Sequence, residues 1–128
     1  MRRNELEALA QRFCEAVVRQ QEEPLLAFFA PGAQVCWHCS NERFTAEGYV
    51  RANCAYPGSW KGEVERVDPI PGGMAAVMRV WMGDASFHTA SFFRLTPEGK
   101  IAALDEYFGD DGQAPQWRRK MGLAQPIR

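Results

Sequence analysis

Two carboxylates stand side by side, Asp105 and Glu106, in the middle of the run Lys100-Ile101-Ala102-Ala103-Leu104-Asp105-Glu106-Tyr107-Phe108-Gly109. The run reads as a strand, and a charge in the middle of a sheet needs a compensating partner or a function. Alternation puts Ala102, Leu104, Glu106 and Phe108 on one face and Ile101, Ala103, Asp105 and Tyr107 on the other. Imidazole chemistry near neutral pH falls to the only two histidines, His38 and His88. A His–Glu or His–Asp pair is the constellation to seek. The segment Cys36-Trp37-His38-Cys39 has the spacing of half a metal site or of a redox pair. A zinc set would need Cys36, His38, Cys39 and Cys54 together, and no second paired motif accompanies them. A redox pair should open a helix, whereas this segment ends a strand. Incidental thiols are the expectation, with no metal and no cofactor. No serine or cysteine is placed by sequence as the nucleophile of a triad. Asp110-Asp111-Gly112 reads as a polar turn rather than a metal loop.

The elements that must position these residues are legible in outline. Leu6, Leu9, Ala10, Phe13, Val17 and Val18 recur at three- and four-residue steps among charged residues, an amphipathic helix with Asn4 as a candidate N-cap. Pro24 is expected to start a short helix carrying Leu25, Leu26, Phe28 and Phe29, stopped by Pro31-Gly32. Residues 33–38 follow as a strand. Thr45 is a plausible N-cap for a third helix from Ala46 to about Ala55. Strand-like runs over 59–69, 74–82 and 86–95 precede the final one, separated by Pro71-Gly72-Gly73, Gly83-Asp84 and Pro97-Glu98-Gly99. Such short turns favour antiparallel pairing. Helices first and a strand meander afterwards make an α+β chain, residues 1–128 forming one domain.

Composition narrows the function classes. A chain of 128 residues buries roughly two thirds of its unfolded surface, enough for a core and a cavity. Hydrophobic residues are 46% and the net charge is -1, so no global field draws nucleic acid or an anionic membrane. The start of the chain lacks the apolar run of a signal peptide, and no window approaches a transmembrane span. Four cysteines then fit reduced thiols in the cytoplasm.

The order of elements, together with the closing segment, resembles the ketosteroid-isomerase-like superfamily, which includes the SnoaL-like and nuclear-transport-factor-two-like proteins. It looks especially like uncharacterised bacterial SnoaL-like members ending in DEYWGDDG-x-x-P-x-WR. Here that segment is Asp105-Glu106-Tyr107-Phe108-Gly109-Asp110-Asp111-Gly112, then Pro115, Trp117 and Arg118. The resemblance implies a curved antiparallel sheet wrapped over about three helices, a conical pocket and a homodimer. The isomerase proper uses a carboxylate base, a tyrosine and a protonated aspartic acid. By resemblance those positions fall on Trp37, Phe13 and Ser91, none of which can take over the role. Steroid isomerisation by that route is therefore not expected.

The resemblance also turns the Phe108 face into the cone, which puts Glu106 in an apolar cavity as a candidate general acid or base. A structural ion pair with Arg79 is the competing expectation. His38 is expected near the pocket mouth, and the direction of His88 is open. Phe13, Trp37, Ser91 and Phe108 are the expected ligand-facing positions. Two functions follow: a cofactor-independent acid–base enzyme of isomerase, hydrolase or cyclase type acting on a small apolar organic molecule, or a non-catalytic binding or dimerisation module.

Overall fold

The computed structural model describes all residues from Met1 to Arg128. Helix α1 spans Arg3–Arg19 and buries Leu6, Leu9, Ala10, Phe13 and Cys14, the stripe expected from the periodicity. Its N-cap is Arg2, two residues before the expected Asn4. Glu5 turns back to accept the Arg2 backbone N–H at 3.0 Å, satisfying one donor at the helix start. Helix α2 (Glu22–Leu26) is shorter than expected, because Phe29 already belongs to strand β1 (Phe29–Trp37). Pro31-Gly32 does not stop a helix; it lies inside β1, where the register with its neighbour shifts between Phe29 and Gln34. A bulge of this kind lets a strand carry a proline without forfeiting a ladder bond.

A 3-10 turn (His38–Ser40) and a short strand β2 (Glu42–Thr45) follow, both unanticipated. Thr45 caps helix α3 (Ala46–Cys54) as expected, its Oγ1 accepting the Gly48 N–H at 3.1 Å. Strands β3 (Lys61–Ile70), β4 (Gly73–Met82), β5 (Ala85–Leu95) and β6 (Ile101–Asp110) form the meander, and a one-turn helix α4 (Gln116–Arg119) closes the chain. The six-stranded sheet runs β2-β1-β6-β5-β4-β3. It is curved and unclosed, in an α+β architecture. Every neighbouring pair is antiparallel except β1 and β6, which run parallel.

One sheet face packs against the helices. Met74, Ala76, Met78 and Val80 alternate inward on β4, and Phe93, Ile101 and Leu104 join them in the core. Phe13 sits edge-on to Phe28, Phe29 and Phe93, with ring centroids 5.3–6.2 Å apart, the arrangement that pairs a ring's positive edge with a negative face. Gly62 on β3 makes room for α1: a Cβ there would lie 2.9 Å from Cys14 Sγ and from Val18 Cγ1. No helix is long and apolar enough to cross a membrane.

Candidate functional site

Between the helices and the sheet lies a cavity of about 170 Å³. Its walls come from α1 (Phe13, Val17), β1 (Trp37), α3 (Tyr49), β4 (Met78, Val80) and the ends of β5 and β6, where Phe87 and Phe108 stand. Exposed Tyr56 and Asp110 mark the mouth, and buried Phe13, Tyr49 and Glu106 the depth. Gln20 ties the helix ends together beside the mouth, its Nε2 donating to the carbonyls of Asn53 (2.9 Å) and Tyr56 (2.7 Å).

Glu106 is the carboxylate in the depth, 8% exposed. Register explains its surroundings. Ser91 on β5 and Trp37 on β1 are its two cross-strand partners, so all three side chains leave the sheet on the same face. Ser91 Oγ donates to Oε2 at 2.6 Å and Trp37 Nε1 donates to Oε1 at 3.1 Å. Burial pushes the Glu106 carboxyl above its usual pKa, and the two donors pull part of the way back. With each oxygen holding one donor, each retains a lone pair for a further partner. Trp37 is itself fixed by edge contacts with Phe44, Tyr49 and Phe108, at centroid distances of 4.7, 6.0 and 5.9 Å.

The expected ion pair between Glu106 and Arg79 is not formed. Arg79 lies on the opposite face, stacked over Trp81 at 4.5 Å, with its Nε donating to Ser86 Oγ at 3.1 Å. Both histidines also lie away from the cavity lining. His38 is not at the mouth: its Nε2 pairs with Asp105 Oδ1 at 2.7 Å, and its ring stacks on Tyr107 at 4.5 Å. His88 lies between Asp111, paired through Nδ1, and Glu65, paired through Nε2 at 3.0 Å. The anticipated His–carboxylate pairs thus exist, on the outer face, and neither includes Glu106. The reason is the two-residue period. Asp105 and Tyr107 alternate out while Glu106 turns in, and His88 opposes Arg79 and Gly109 on outward positions.

Phe13, Trp37 and Phe108 line the cavity, while Ser91 stands behind Glu106 and is fully buried. Tyr49 on α3 joins this wall without having been among the expected ligand-facing positions. Its hydroxyl bonds to nothing in the chain, and since no enclosed side-chain oxygen or nitrogen is left unpaired, it opens to the cavity. Burial and the nearby Glu106 carboxylate hold the phenol well above its usual pKa, so it is a neutral donor. The signal available was a lone tyrosine on the apolar stripe of a capped helix. Asp111, within the expected polar turn, anchors Ser86, His88 and Arg79 where the last strand ends.

No family model matches the chain, and no curated protein does. Solved structures do match. A candidate ketosteroid isomerase from Kribbella flavida shares 21% identity over 98% of this chain and 91% of its own, with a TM-score of 0.78. An NTF2-like protein of unknown function from Burkholderia xenovorans shares 19% identity over 100% of this chain and 99% of its own, also at 0.78. A candidate SnoaL-like polyketide cyclase from Shewanella denitrificans shares 6% identity over 84% and 92%, at 0.69. The chain has the fold common to the ketosteroid-isomerase-like, NTF2-like and SnoaL-like proteins.

Proposed function

We propose that this protein binds a small, mostly apolar organic molecule in its cone and that Glu106 acts on it as a general acid or base without a cofactor. The observation that carries the reading is a buried carboxylate with no cation beside it, open to an apolar cavity and held on both oxygens. A buried charge without a counter-ion is costly, and a raised pKa brings proton donation and proton acceptance closer to neutral pH. By the resemblance, Trp37 and Ser91 occupy the positions of the isomerase's base and acid. Both donate to Glu106, so the site's carboxylate is relocated to the strand lying between them. Tyr49 supplies the second polar group, a donor for a carbonyl or an epoxide oxygen. Neither histidine has a part in this reading.

Cavity size restricts the occupant. An apolar cavity of ~150 Å³ takes benzene, and drug-sized ligands need roughly 300 Å³ or more. A space of about 170 Å³ encloses a single-ring group rather than a fused four-ring skeleton. Isomerase, hydrolase and cyclase chemistry all fit proton transfer by one carboxylic acid. The test is a panel of monocyclic ketones and epoxides incubated with the wild type and with Glu106→Gln, products being read by mass spectrometry. Conversion by the wild type and none by the variant is expected. Equal conversion by both removes Glu106 from the mechanism.

The second reading, a non-catalytic binding module, draws on the fact that both Glu106 oxygens already have fixed donors. It expects saturable binding of the same molecules with no product. We further infer a homodimer in the cytoplasm. Trp117, Met121 and Leu123 in the closing segment are 66%, 57% and 75% exposed, an apolar surface that a second copy would cover, and the four cysteines are all unpaired. Light scattering of the eluting protein, with and without residues 113–128, measures the first point.

A further inference from the structure

Cys36, His38 and Asp105 meet on the outer face of the sheet, away from the cavity. Cys36 on β1 and Asp105 on β6 are register partners in the parallel pair, and His38 follows in the 3-10 turn. Their ligand atoms all lie within 4.8 Å of one another, with His38 Nε2 and Asp105 Oδ1 at 2.7 Å. We propose that Cys36, His38 and Asp105 form a site for a Zn²⁺-class ion, bound through Sγ, Nε2 and a carboxylate oxygen with one position left for water.

The donor set carries the choice of ion. One thiolate, one imidazole and one carboxylate suit Zn²⁺ and disfavour Mg²⁺ or Ca²⁺, which take oxygen ligands. Zinc bonds of about 2.0–2.3 Å in a tetrahedron place donor atoms roughly 3.3–3.8 Å apart. The present separations, from 2.7 Å up to a ceiling of 4.8 Å, bracket that range. Two strands hold Cys36 and Asp105 in register. Tyr107 lies parallel to the His38 ring, 7° between planes, and fixes its orientation as a second shell of contacts should. Binding releases the Cys36 thiol proton, leaves the His38 proton on Nδ1 instead of Nε2, and replaces the His38–Asp105 hydrogen bond with a metal bond to each residue.

Of the set the sequence suggested, Cys36 and His38 are kept, Cys39 and Cys54 drop out, and Asp105 enters from a strand 69 residues along from Cys36.

The test uses chelator-treated, reduced full-length protein titrated with Zn²⁺ in competition with a chromophoric chelator, and separately with Co²⁺ followed by absorbance. One Zn²⁺ per chain and a thiolate-to-cobalt charge-transfer band are expected. Cys36→Ser should erase the band. Cys36→Ser, His38→Ala and the nearly isosteric Asp105→Asn should each weaken Zn²⁺ by at least tenfold, with circular dichroism confirming the fold. Cys39→Ser should change neither. Zinc affinity unchanged in Cys36→Ser and Asp105→Asn, or a band lost in Cys39→Ser instead, overturns the assignment.

Discussion

Ser91 and Glu106 face each other across two antiparallel strands, and the Ser91 hydroxyl donates to Glu106 Oε2 at 2.6 Å in a fully buried setting. With Trp37 donating to the other oxygen, this contact decides how much of Glu106 is ionised. Both donors favour the charged form, and burial opposes it more strongly.

Ser91→Ala should therefore raise the Glu106 pKa further. A hydrogen bond to a charged group contributes about 1.5–3 kcal/mol, and the variant should lose stability of that order at pH 8. The loss should shrink as pH falls and the carboxyl protonates in both proteins. Chemical denaturation from pH 4 to 8 measures it. A pH-independent difference would mean that the hydroxyl only fills space.

Glu106→Gln should fold and gain relative stability with rising pH. The sign follows from the raised folded-state pKa. Glu106's contribution is fully present below its unfolded pKa and is lost as pH rises through the folded value. The amide oxygen can accept from Trp37, while the Ser91 hydroxyl rotates to accept from the amide nitrogen. Melting temperatures of the two proteins across pH should diverge upward in favour of the variant.

His88 sits between Asp111 and Glu65, and hydrogen bonding to Asp111 raises its pKa above the usual imidazole value against a smaller effect of burial. Its stabilising contribution is present below about pH 6.5 and is lost as pH rises through the raised folded-state value. Asp111 is shifted down, chiefly by Ser86, so its contribution persists until pH falls through that lowered value. Both groups are partly exposed, which holds the effect under about 1 kcal/mol. His88→Gln should lower the melting temperature at pH 6 and leave it nearly unchanged at pH 9.

Gly62→Val should destabilise by about 1–3 kcal/mol, because even its Cβ would press on Cys14 and Val18 at 2.9 Å. Urea denaturation reads this directly. A neutral result would show that α1 can lift from β3 at little cost.

Cys14 is buried beside the cavity, and burial pushes its thiol up to about 11. Alkylation of folded protein at pH 8 should label exposed Cys39 rapidly and spare Cys14 until the chain unfolds. Peptide mapping after timed labelling checks the order.

What the sequence determined by itself is local. The periodicity of Leu6 to Val18, the Thr45 cap and the turn glycines specify the elements, since each rests on residues a few positions apart. Alternation along the last strand separates Glu106 from Asp105 for the same reason. Elsewhere pairing across the sheet overrides local preference. Pro31-Gly32 reads as a stop yet lies within a bulged strand, and Glu42–Thr45 carries no strand pattern until it has β1 to pair with. The partners of Glu106 were beyond local reach. Trp37 is 69 residues away and Ser91 is 15, and only the parallel register of β1 with β6 and the antiparallel register of β5 with β6 bring them to one carboxylate. Arg79 and both histidines have the right chemistry to partner Glu106. The two-residue pleat sends Arg79 and His88 to the other face, a parity fixed only when the strands pair, and the 3-10 turn after β1 carries His38 to Asp105.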